Sequence, residues 1–137
     1  MCTASTWRRI LIILTTCFAA SFSVAAAGDQ DLVDIARKIN DLFEPPVMIN
    51  QDTRFEGVEA ATLKEMVFQY TLVYMTVNSE YLPPVVAELK ESILASSCDQ
   101  QDWRKYLGAG IAITVLYRTI DGEEALRLTT SPHQCGL

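Results

Sequence analysis

The spacing of apolar residues changes several times along the chain, and each change marks an element. Over "DQDLVDIARKINDLF" apolar side chains recur at Leu32, Ile35, Ile39 and Leu42, with Ala36 and Phe43 beside them. That spacing lines one face and predicts an amphipathic helix. Asp29 or Asp31 can cap its start, where acidic groups suit the helix dipole, and Pro45-Pro46 stops it. From Glu65 the period becomes two. Met66, Phe68, Tyr70, Leu72 and Tyr74 take one face, with Val67, Gln69, Thr71 and Val73 on the other. Alternation in aromatic and β-branched residues predicts a strand with one buried face. A weaker strand precedes it near Thr53 to Ala60, and its alternation slips at Gly57, which predicts a bulge.

Helical spacing returns in "LPPVVAELKESILASSC", where Pro83-Pro84 suit a first turn and Val86, Leu89 and Ile93 share a face. A short helix follows in "QQDWRKYLG", with Asp99 as its expected cap and Trp103 and Leu107 facing the core. The last third, "GIAITVLYRTIDGEEALRLTTS", carries Asp121-Gly122, a hairpin signal. A two-residue loop pairs Tyr117 with Leu126, Val115 with Leu128, Ile113 with Thr130 and Arg118 with Ala125. The hydrophobic pattern selects the same register independently. The expected order is α-β-β-α-(α)-β-β. Its simplest assembly is an α+β two-layer sandwich, a four-stranded mostly antiparallel sheet with helices on one face.

Ahead of all this stands "MCTASTWRRILIILTTCFAASFSVAAAGDQ". Arg8 and Arg9 precede an uncharged apolar run, Ile10 to Phe22, and then the small residues of "SVAAAG". This is the layout of a secretory signal peptide, with cleavage expected between Ala27 and Gly28. Residues 1–27 are therefore read as leader and 28–137 as a single α+β domain. An uncleaved anchor, a twin-arginine signal and lipid attachment at Cys17 are the competing readings. Thr16 is a poor residue before a lipidated cysteine, and the apolar run is barely long enough to span a bilayer.

Export changes charge and cysteine arithmetic. The leader takes two arginines and no acidic residue, leaving nine basic against seventeen acidic residues, a net charge of −8. Such a domain lacks the basic footprint of a nucleic-acid binder and is poorly suited to an anionic lipid surface. Cys2 and Cys17 depart with the leader. Cys98 and Cys135 remain, an even pair in an oxidising compartment, for which a disulfide is the default reading.

Chemistry-bearing residues are few. His133, the sole histidine, sits in "SPHQC" beside Cys135. A zinc site would need Cys98 and a further ligand besides these two. Nothing matches a nucleophile elbow, a zinc-protease helix or a phosphate loop, so no catalytic residue, metal site or cofactor is expected. Arg54, after Thr53, could pin the start of its strand or bind a partner's carboxylate or phosphate. Tyr81, in "NSEYLPP", is the other candidate partner contact.

The stretches "NQDTRFEGVEA", "FQYTLV" and "GAGIAITVLYRTIDGEEALRLTTSPHQC", together with Cys98, resemble uncharacterised small exported bacterial proteins. The resemblance spans most of Asn50 to Cys135. It implies export, an α+β fold and one disulfide, and brings no activity.

The expected function is a periplasmic or secreted, non-enzymatic binding protein whose partner is another protein or a small ligand in the envelope, possible forms being an inhibitor or immunity-type protein. The sheet face not covered by helices is its expected docking surface, with Val67, Val73, Leu116 and Ile120 on or near it. One alternative is a small exported hydrolase using carboxylates near Arg54; another is an accessory component of an envelope or secretion complex. Intact mass of the exported protein should correspond to a chain starting at Gly28, two hydrogens lighter before reduction than after. A mass retaining Cys17 with attached lipid would overturn the cleavage.

Overall fold

The computed structural model describes residues 27–137, with side chains from Asp31 onward. Arg8, Arg9 and Cys17, on which the expected leader and its lipidation alternative rest, lie outside the described residues. Helix α1 spans Ala27–Phe43, then β1 (Val47–Met48), β2 (Thr53–Thr62) and β3 (Glu65–Leu72) follow. Next come α2 (Leu82–Ser96), α3 (Gln101–Gly108), β4 (Ala112–Thr119), β5 (Glu124–Thr130) and a terminal 3-10 helix, Pro132–Cys135. The strands form one sheet in chain order.

The α+β class holds, but the sheet has five strands and is mixed. The added strand β1 pairs Val47 with Phe55 and Met48 with Arg54. Two residues are too short to show an alternation, so only pairing to β2 makes them a strand. Neighbouring strands run antiparallel except β3 and β4, which pair parallel from Glu65↔Ala112 to Leu72↔Thr119. β3 also ends earlier than its pattern suggests. Beyond Leu72 the chain turns, with Met75 N–H donating to Leu72 O, and Tyr74 is 76% exposed. Asp99 does not cap α3, whose N-cap is Gln100 and lacks a side-chain cap bond.

The helices cover one sheet face, and the core beneath them is divided. Leu32 and Ala36 of α1 pack with Phe55, Val58 and Met66. Leu82, which opens α2, clusters with Leu72, Val115, Tyr117 and Leu126, and Leu89, Ile93 and Trp103 pack against that group. Phe68 and Tyr70 touch both clusters. Trp103 meets Phe68 with ring centroids 6.1 Å apart, and Leu107 is fully buried, as their spacing predicted.

The terminal hairpin keeps its expected pairs at Tyr117↔Leu126, Val115↔Leu128 and Ile113↔Thr130. Near the turn it departs. Gly122 N–H donates to Thr119 O and Thr119 N–H to Glu123 O, so the loop has three residues, with Gly122 at φ +86°. Arg118 accordingly faces Glu124 rather than Ala125. The extra residue Ala125 bulges and restores the register below it, because a one-residue slip would turn the apolar side chains to the wrong face.

The predicted bulge at Gly57 has a specific partner. The ladder slips between Phe55 and Gly57, where Gly57 adopts φ +131°. A Cβ there would stand 3.2 Å from Asn40 Oδ1. Asn40 of α1 donates through Nδ2 to Val58 O (2.8 Å) and accepts from Val58 N–H at Oδ1 (2.9 Å). One side chain thus serves both main-chain groups of a buried residue on a strand edge and fixes the helix to it.

The disulfide is present. Cys98, just past α2, bonds Cys135 of the 3-10 helix, with Cα atoms 5.4 Å apart. Ser131 and Gln134 cap that short helix reciprocally. Substituting Asn40→Ala leaves Val58 unpaired and should cost about 1–3 kcal/mol, read as a lower urea midpoint. An unchanged midpoint would show that water replaces the amide.

Candidate functional site

A groove on the helix side of the sheet consists of two hollows, one against α1 and one against α2, near Phe68 and Tyr70, which pack on both core clusters. Its first part is a hollow of about 160 Å³ lined by Ile39, Phe43, Ile49, Phe55, Phe68 and Tyr70. Its second, about 560 Å³, is floored by Thr53 and Leu72 and walled by Asn50, Gln51 and Asp52 on one side. Met75 and, from α2, Val85, Glu88, Leu89 and Ser92 close the other side. Thr53 and Phe55 are two apart on β2, and Phe68, Tyr70 and Leu72 alternate on β3, so the hollows lie end to end along the same strands.

Alternation and ring packing build the aromatic part. Phe43 meets Phe55 edge-on at 6.0 Å, Phe55 meets Tyr70 at 5.5 Å, and Tyr70 stacks on Tyr117 at 4.9 Å. Phe43 and Ile49 remain 53% and 52% exposed, and Leu42 and Met48 beside them are exposed too. Burying these groups against a partner would gain free energy, about 25 cal/mol per Å² of apolar area removed from water. Burial of Tyr70, reinforced by the neighbouring Tyr117, pushes its phenol up to about 12, and burial raises Tyr117 as well. Both rings therefore stay neutral at ordinary pH.

The second part differs in charge. Asp52 and Glu88 are its charged lining residues, and neither is in an ion pair among the described residues. Asn50 shapes the wall, its Oδ1 accepting from Asp52 N–H (2.9 Å) and Thr53 N–H (2.8 Å). At the far end Asp121 holds the loop after β3. Its carboxylate accepts from Val77 N–H at 3.3 Å and from the Thr119 hydroxyl. That hydroxyl bond leads the causes that lower the Asp121 carboxyl below its ordinary 3.8.

The two sequence-derived contact candidates are not brought together here. Arg54 projects to the opposite sheet face and donates Nε to Glu56 Oε1 at 2.6 Å. Tyr81 is the N-cap of α2, 65% exposed, and lines neither hollow. Of the residues expected on the docking face, Val67 and Leu116 are each 3% exposed and Val73 is half-buried, and only Ile120, at the hairpin tip, is open at 47%. Exposed apolar surface instead gathers on the helix side. Arg54 with two carboxylates, the set the hydrolase reading requires, lines neither part of the groove, nor a third hollow on the outer side of α1. Among the described residues no three metal-ligating side chains cluster, and no helix is long and apolar enough to cross a membrane.

The groove residues were missed because each sits in a stripe that reads as core. The one available signal was the surplus of apolar residues around Pro45-Pro46, namely Leu42, Phe43, Met48 and Ile49.

No family model matches the chain, and no curated protein matches it. Three solved structures share its fold. A protein of Pseudomonas aeruginosa assigned to the secreted class superposes with TM-score 0.61 at 15% identity, covering 79% of this chain and 96% of its own. A type 2 secretion system pilotin of Vibrio vulnificus gives 0.57 at 12%, covering 80% and 96%. A type II secretion system pilotin of Vibrio cholerae gives 0.55 at 17%, covering 81% and 98%. At these identities the likeness is one of fold.

A phenol raised in the folded state binds its proton beyond the pH at which the unfolded chain releases it. Stability from Tyr70 is therefore complete below pH 10 and declines as pH rises toward about 12. Tyr70→Phe should flatten that alkaline decline in a denaturation series. An identical decline in the variant would assign it elsewhere.

Proposed function

We propose that this chain is an exported, non-enzymatic accessory protein of an envelope or secretion complex, acting by docking a segment of another protein in the groove between α1 and α2. The carrying observation is the groove itself, where the half-buried Phe68 and Tyr70 meet the exposed Phe43 and Ile49. Monomeric proteins rarely leave such residues contiguous and uncovered, and a patch of this kind marks a contact surface. Support also comes from the fold shared with two secretion-system pilotins and a protein assigned to the secreted class. The leader sequence and acidic charge fit an envelope or extracellular setting. Docking needs no titrating nucleophile, which accords with the neutral Tyr70 lining the aromatic end.

A photo-crosslinking residue at Ile49 tests this in cells of the source organism. It should trap a defined envelope or secretion-machinery protein, identified by mass spectrometry, whereas the same group at Arg54, on the opposite face, should not. Equal yields from the two positions, or trapping of none but cytoplasmic proteins, would overturn the assignment.

A further inference from the structure

Resting on that docking role, we infer that the groove reads charge as well as apolar shape: it selects an amphipathic helical segment with a Lys or Arg about two turns from its apolar anchor. The two hollows differ in kind. The aromatic one is lined by uncharged residues, and the other is lined by Asp52 and Glu88 without a basic residue. The two carboxylates belong to separate elements that line this hollow, the loop before β2 and helix α2. A cation entering between them gains two opposite charges while its aliphatic stem lies on Leu72, Val85 and Leu89.

Spacing follows from the strands. The floor steps along β3 from Phe68 and Tyr70 to Leu72, about 10 Å at roughly 3.3 Å per residue. In a helix that distance is about seven residues. A helix rather than an extended peptide fits the floor. β2 and β3 are already paired from Thr53↔Leu72 to Thr62↔Glu65, so the floor is the middle of a sheet and offers no strand edge. An extended chain laid on it would leave main-chain groups unpaired, whereas a helix satisfies its own. The acidic excess of the domain favours the same ligand charge during encounter.

Three designed helical peptides of equal length test this, each with the same Leu/Phe stripe and, two turns beyond its central Phe, a Lys, a Gln or a Glu. Fluorescence anisotropy against the exported, disulfide-bonded protein at physiological ionic strength should rank them Lys, Gln, Glu, with at least tenfold between the extremes. The double variant Asp52→Lys, Glu88→Lys, both at exposed positions, should invert that order. Ile49→Glu, at a half-exposed wall position, should weaken all three. Equal affinities for the three, with Ile49→Glu still weakening each, would overturn charge reading and leave the docking role standing. No binding by any peptide, or no effect of Ile49→Glu, would overturn both.

Discussion

The parallel pairing of β3 with β4 is the constraint from which the rest of the structure follows. Eight consecutive residue pairs, from Glu65↔Ala112 to Leu72↔Thr119, align the two strands in the same direction. Parallel neighbours cannot be joined by a tight turn, so the chain must cross over before it can return. The crossover carries α2 and α3, and it sets them on the face that α1 already occupies in part. Two antiparallel hairpins, β2–β3 and β4–β5, thereby become one continuous sheet.

That junction also divides the core. Helix α1 closes over the β2–β3 side and α2 over the β4 and β5 side, while α3 contributes Tyr106 to the first cluster and Trp103 to the second. Phe68 and Tyr70 stand between them and are covered from both sides without being sealed. The groove is thus a consequence of topology: two helical covers over one sheet leave a seam, and the seam exposes whatever the central strand places there. Here it places aromatics, which is the composition expected where another molecule finishes the packing.

Around the seam, a few polar contacts hold the walls. Asn40 fixes α1 to the bulge at Gly57, Asn50 shapes the loop bearing Asp52, and Asp121 ties the loop after β3 to the hairpin tip. The disulfide holds the end of α2 to the 3-10 helix. All of these links but the local Asn50 turn join elements distant in sequence, so the walls keep their shape while the groove is open. The same rigidity suits recognition, because a preformed site loses less entropy on binding.

Much of the architecture was legible in the residues alone. Apolar periodicity located α1, α2 and the strand alternation, because burial on one face imposes a period of 3.6 or 2 whatever the partner. Gly57 and Asp121-Gly122 marked the bulge and the turn, since a positive φ selects glycine locally. Counting cysteines outside the expected leader left one pairing, Cys98 with Cys135. Tertiary structure alone decided three things. It made Val47 and Met48 a strand, because so short a segment pairs only when a neighbour is presented. It moved the exposed apolar surface to the helix side, because a stripe records which residues face inward and not how far apart two covers stand. And it separated Arg54 from the groove while bringing Asp52 and Glu88 into the lining of one hollow, because charges gain meaning only from the elements that carry them together.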